Sequence, residues 1–219
     1  MAGAEGNAKE SFLDASLKDL DNKIKFLCEL EDSGHPDEAL LLCCCYIEGL
    51  AFSIYWPDHS QQYSLAFFKV LKEHGDEEIL CHVHPKMLQQ ALQGMGKRGK
   101  RVLARIEPEL QNARGELLTE DQTLSLVSSR VPRDDLEWLG RNLWKGTLAV
   151  IAYRRMRSQL VHRLHGPGAI SFDGTTFKGK PIPPIDFSML YRCLLRILEV
   201  VKERTIQTGK WCGHDFRCA

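Results

Sequence analysis

Between residues 39 and 56 the chain reads ALLLCCCYIEGLAFSIYW, with Glu48 as its single charge. A helix that is apolar nearly all round has no face to give to water, so it must be enclosed by the rest of the chain. Pro36-Asp37-Glu38 opens it well, because proline presets the helical φ and the two acids meet the positive end of the helix dipole. Pro57-Asp58-His59 ends it. The run is shorter than 18 uninterrupted apolar residues, and no membrane span is expected. The N-terminal MAGAEGNAKE has no apolar leader core, which argues against secretion and for a cytoplasmic protein. With 219 residues, 43% hydrophobic and 26% charged, the chain can bury such a helix in a single domain and is not disordered as a whole.

The covering elements can be read from their periodicity. Leu17, Leu20, Ile24, Leu27 and Leu30 recur every three or four residues and predict a helix over about 16–31. Leu65, Phe68 and Leu71 predict another over 61–73, a short one follows at 86–93, and Leu190, Leu194, Ile197 and Val201 mark a last one over about 186–207. Residues 94–101, GMGKRGKR, read as a flexible basic loop that lacks the spacing of a nucleotide-binding P-loop. Residues 102–130 look helical but weakly patterned. The longest predicted element spans 134–165, with Asp134, Asp135 and Glu137 at its start and Gly166-Pro167-Gly168 as its stop. Its seam runs Leu136, Leu139, Leu143, Gly146, Val150, Tyr153, Arg157, Leu160 and Leu164. Asp173-Gly174, between β-prone residues, predicts a small hairpin that Pro181 to Pro184 close. No internal repeat is present.

The net charge of zero conceals a division. Residues 1–94 carry 7 Lys+Arg against 16 Asp+Glu, and residues 95–219 carry 22 against 13. Either the basic half meets an anionic partner or the two halves pack against each other. Eight cysteines include the consecutive Cys43, Cys44 and Cys45 inside the apolar run, where buried free thiols are the expected state. Cys81, His82 and His84, and Cys212, His214 and Cys218, lack the spacing of a familiar zinc site, and no metal or other cofactor is expected.

Chemistry concentrates in Tyr153-Arg-Arg-Met-Arg-Ser-Gln-Leu-Val-His162, where cations crowd an element that should be packed. An arginine in a core seam needs an anion or an open cleft to offset its lost hydration. Arginine offers bidentate phosphate recognition, and a histidine nearby moves protons near neutral pH. Together they suit RNA cleavage, in which the 2′-hydroxyl loses a proton, the phosphorane is stabilised and the 5′-oxygen gains a proton. On a regular helix positions five apart sit about 140° from one another, so Arg157 and His162 do not share a face. Either the helix end is irregular, or two copies meet and pool the pair. A basic helix end paired with carboxylates of the acidic half is the alternative.

The string Arg157-Ser-Gln-Leu-Val-His162, within YRRMRSQLVHRLHG, resembles the R-x4-6-H signature of the HEPN superfamily (higher eukaryotes and prokaryotes nucleotide-binding domains). The likeness extends to the earlier apolar helix LLLCCCYIEGL and the closing helix, covering about 36–56 and 134–207 and leaving 60–130 as a helical insertion and 208–219 as a tail. It implies one all-α HEPN-like bundle, with a small hairpin between the last two long helices. It also implies a homodimer acting as a metal-independent endoribonuclease, in a toxin or defence role, with a nucleotidyltransferase-like protein as possible antitoxin. Leu164 stands where a toxin subgroup carries tyrosine, so regulation through that tyrosine is not expected. Carried over, Arg157 holds the scissile phosphate, His162 is the general acid or base, and Ser158 orients either one. Tyr153 and Arg155 would line the site, with an ordinary core residue as the alternative for Tyr153. Glu48 would either join the site or be the buried partner of Arg157, and Lys97, Arg98, Lys100 and Arg101 would either guide RNA non-specifically or form a solvated loop. A non-catalytic helical adaptor that binds RNA or protein is the competing expectation. The cleavage reading places Arg157 and His162 close and partly exposed, and the adaptor reading places them apart in ion pairs.

Overall fold

The computed structural model describes residues 2–55, 63–75, 77–157 and 169–211, with side chains from residue 12 onward. The fold is all-α. In chain order the described helices are α1 (Ala2–Asp32), α2 (Pro36–Tyr55), α3 (Tyr63–His74), α4 (Pro85–Gln93), α5 (Gly96–Asn112), α6 (Glu120–Val127), α7 (Arg133–Gly140), α8 (Leu148–Ala152) and α9 (Phe187–Thr208). Single 3-10 turns lie at Glu78–Cys81 and Leu143–Gly146, and a π-helical turn at Tyr153–Arg157 follows α8 directly. Short strands β1 (Ala169–Ile170) and β4 (Ile185–Asp186) pair antiparallel, as do β2 (Thr176–Phe177) and β3 (Lys180–Pro181).

The apolar run is central, as its composition requires. α2 packs against α1, α3, α9 and the π-helical turn. Its Leu40, Cys43, Cys44, Ile47 and Leu50 meet Ile24 and Leu27 of α1, Phe67 and Leu71 of α3 and Leu190, Leu194 and Ile197 of α9 in one buried cluster. By length and composition alone α2 would suffice to cross a membrane. A second cluster gathers Val83, Leu88 and Leu92 with Val102, Ile106 and Leu110 of α5 and Val127, Leu139 and Leu143. Helix α3, within the stretch read as an insertion, thus belongs to the first core, and Leu139 and Leu143, read as part of the main bundle, belong to the second. The charged halves do meet: Arg157 with Glu48, Arg192 with Glu77, Lys178 with Glu78 and Lys202 with Asp21 are ion pairs between the basic and acidic parts.

Three expectations change. The continuous helix over 134–165 is broken between Arg141 and Thr147, because the backbone there bonds to another segment. His84 N–H donates to Gly146 O at 3.0 Å, Leu148 N–H donates to His82 O at 3.2 Å, and Asn142 Nδ2 turns back onto Trp138 O at 2.8 Å. Gly146 allows this approach, since a Cβ on it would stand 2.8 Å from Leu88 Cα. The basic segment 94–101 is not a loop over its length, for α5 begins at Gly96. Its buried stripe of Gly99, Val102, Leu103, Ile106 and Leu110 has helical spacing that becomes visible only with residues beyond 101. The hairpin turns at Lys178-Gly179, both at positive φ (50° and 74°), as a two-residue hairpin loop requires. Asp173-Gly174 forms only a reverse turn, closed by Thr175 N–H to Phe172 O at 3.0 Å. Thr176 is drawn away from β1 by backbone bonds to Gly115 and Leu117.

Candidate functional site

All five residues of α8 are buried, so the chain enters the cationic stretch from the middle of the core. It then widens into the π-helical turn, a geometry often found at functional positions. Tyr153 and Met156 stay buried, Arg154 is exposed, and Arg155 and Arg157 are half-buried.

Arg157 finds its anion on α2. Its Nε donates to Glu48 Oε2 at 3.0 Å, and Tyr153 Oη donates to Glu48 Oε1 at 3.1 Å. The guanidinium also lies 5.8 Å from the centre of the Tyr153 ring, which packs at 5.1 Å on Phe67. Glu48 is 13% exposed and Arg157 31%, so the pair stands at the edge of the core with the arginine reaching outward. Burial works against the charge of Arg157, and the Glu48 carboxylate outweighs it. Burial, with Glu48 adding to it, pushes the Tyr153 hydroxyl up to about 12, so it remains a hydrogen-bond donor at neutral pH. A hydrogen bond of this charged kind is worth about 1.5–3 kcal/mol. It occupies one of the five N–H donors of a guanidinium. The lone charge of the apolar helix is therefore the partner of the lone arginine of the seam.

The remaining predicted residues separate. Ser158 and His162 lie outside the described residues. Lys97 is exposed on the first turn of α5. Arg98 Nε and Arg101 Nη2 instead donate to the buried Asp135 Oδ1 at 3.1 and 2.9 Å, with Arg105 at 3.6 Å from Oδ2. Burial opposes ionisation of Asp135, yet the hydrogen bonds from Arg101 and Arg98 hold its carboxyl below the usual range. Two of the expected RNA guides thus fasten α5 to α7.

Arg155, which makes no ion pair with Glu48, lines a cavity of about 410 Å³. That cavity lies between the start of α4, the turn after α5 and the segment before β2. Beside Arg155 stand Lys86, Arg114 and the buried His84, whose Nε2 pairs with Thr175 Oγ1 at 3.3 Å. Phe172 and Met87 form its apolar wall. Sequence reading singled out Arg155 and His84 for other roles and missed Lys86, Arg114 and Phe172, because four separate segments bring these residues together.

Cys81, His82 and His84 do not converge. His82 Nδ1–H donates to Glu78 O at 2.8 Å with its ring against Phe177, and His84 faces Thr175. Among the described residues no three His, Cys, Asp or Glu side chains are grouped to hold a metal ion. Cys212, His214 and Cys218 lie outside the described residues. Compared with protein families, with characterised proteins and with solved structures, the chain matches none.

Proposed function

We propose that this chain is a metal-independent endoribonuclease of the HEPN type, working as a homodimer. The observation that carries the reading is Arg157 itself, set on a π-helical turn at the core's edge, charged, partly exposed and steadied by Glu48 and Tyr153. Held through Nε, the guanidinium has its remaining donors for the non-bridging oxygens of a phosphate. His162, five residues on, exchanges the protons. A base takes the proton of the 2′-hydroxyl, the 2′-oxygen attacks phosphorus, Arg157 stabilises the phosphorane, and the 5′-oxygen leaves with a proton from the acid. The products are a 2′,3′-cyclic phosphate and a 5′-hydroxyl.

The Arg157–Glu48 pair also favours a second reading. An arginine with a partner of its own suits a helical adaptor in which charge fixes the packing and nothing is cleaved. One experiment separates the two. Wild type, Arg157→Ala and His162→Ala are incubated with RNA in EDTA, and their helical content and melting are followed in parallel. We expect wild type to leave cyclic-phosphate ends and both variants to lose cleavage while staying folded. Wild-type inertness toward RNA, or variants as active as wild type, favours the adaptor.

A further inference from the structure

Arg155 apart, the cavity is built from residues that the cleavage reading does not use. Lys86, Arg114 and Arg155 bring three cations to it, and none of them has an ion-pair partner among the described residues. This contrasts with Arg98, Arg101 and Arg157, each committed to a carboxylate. Asp173 is the one carboxylate of the lining among the described residues. The floor is fixed: His84 is 8% exposed and tied to Thr175, and its ring lies 5.6 Å from that of Phe172. The neighbouring concavity, lined by Lys145 and Arg154 and sharing Met87 and Arg155, extends the positive surface.

Three cations around one cavity give it a positive potential that attracts an anion, with Arg155 half-buried and Lys86 and Arg114 exposed at its rim. The volume of about 410 Å³ lies in the range of small-ligand pockets and exceeds what a lone inorganic anion fills. We propose that this pocket binds a ribonucleoside 5′-monophosphate. Arg155 and Arg114 grip the phosphate through paired N–H donors and Lys86 adds a point charge. The base lies against Phe172, since aromatic faces take any base. The sugar hydroxyls donate to Asp173, which gives the single carboxylate among cations a role.

Calorimetric titration of the full chain with 5′-AMP, 5′-UMP, adenosine and inorganic phosphate tests this. We expect one saturable site for each monophosphate, at least about tenfold weaker binding of inorganic phosphate, and no binding of adenosine. Arg155→Ala and Arg114→Ala should each weaken the nucleotide about tenfold or more. Lys180→Ala, on the hairpin away from the cavity, should leave it unchanged. Arg114 is exposed, so its variant keeps the test open if Arg155→Ala misfolds. Absence of saturable nucleotide binding overturns the assignment, as do indifference to both arginine variants and equal affinity for phosphate or adenosine. An RNA oligomer that needs Arg155 while mononucleotides fail to bind also overturns it. Binding is the readout, so a chain that cleaves no RNA can still pass, and one that binds no nucleotide can still be a nuclease.

Discussion

A carboxylate at position 48 of an otherwise apolar helix loses hydration that only a paired cation restores, and Arg157 supplies that cation from 109 residues away. Glu48→Ala therefore leaves the guanidinium without its anion, and we expect a loss of about 1–3 kcal/mol in thermal or urea denaturation. The double variant Glu48→Leu/Arg157→Met should recover much of that loss, because an apolar pair of similar volume avoids the desolvation altogether. In the nuclease reading Glu48→Gln, which keeps an acceptor for Nε, should retain more cleavage than Glu48→Ala. A different kind of residue-scale effect comes from His84 and His74, whose imidazoles burial holds below the usual value of 6.5. Between each lowered folded value and 6.5 the unfolded chain binds more protons than the native one, so stability rises with pH through that window. The stabilisation is complete above 6.5 and is lost as pH falls toward the folded values. Melting temperatures measured from pH 7 down to pH 5 should decline, and His84→Gln should flatten the decline.

At the scale of elements, the sequence marks helices better than it marks their ends. The ranges 36–56, 61–73, 86–93 and 186–207 lie within a few residues of α2, α3, α4 and α9, because their apolar stripes are complete within each helix. The segment 102–130 carried a readable signal that periodicity overlooked. Thr119 and Gln122 form a reciprocal capping box that opens α6, with Gln122 N–H to Thr119 Oγ1 at 3.0 Å and Thr119 N–H to Gln122 Oε1 at 2.8 Å. The break at 141–147 had no such sign, for its cause is the segment 82–84 bonding across it. Gly146 is the local test of that cause. Gly146→Ala places a Cβ against the Leu88 backbone at 2.8 Å, which neither side relieves by rotating a side chain. We expect a cost of about 1–3 kcal/mol, read as a lowered denaturation midpoint. Were 134–165 one continuous helix, the same change would be neutral or stabilising, since alanine is the better helix former.

For the molecule as a whole, the two buried clusters are joined through Val83, which exchanges backbone bonds with Leu118 (2.8 and 3.0 Å) beside the Gly146–His84 bond. The offset between Arg157 and His162 falls on residues 158–162, which lie outside the described residues. The shared cleft rests on the HEPN resemblance, and subunit mixing decides it. Arg157→Ala and His162→Ala chains, each inactive alone, should regain part of wild-type cleavage when exchanged, if Arg157 of one subunit works with His162 of the other. Verified exchange without recovery excludes that arrangement, and a strictly monomeric wild type that cleaves RNA excludes a shared cleft.

The sequence by itself determined that the chain is all-α with the 39–56 run at its centre, because local spacing and the need to enclose an apolar helix are properties of short stretches. It determined as well that Arg157 needs an anion and that Glu48 could be that anion, since each is conspicuous in its own element. Only the tertiary structure decided that they meet, that Arg98 and Arg101 serve Asp135 rather than solvent, and that Arg155 turns to a cavity with His84, Lys86 and Arg114. The reason is physical: ion pairs and pockets join side chains from distant parts of the chain, and which cation reaches which carboxylate depends on where whole helices dock.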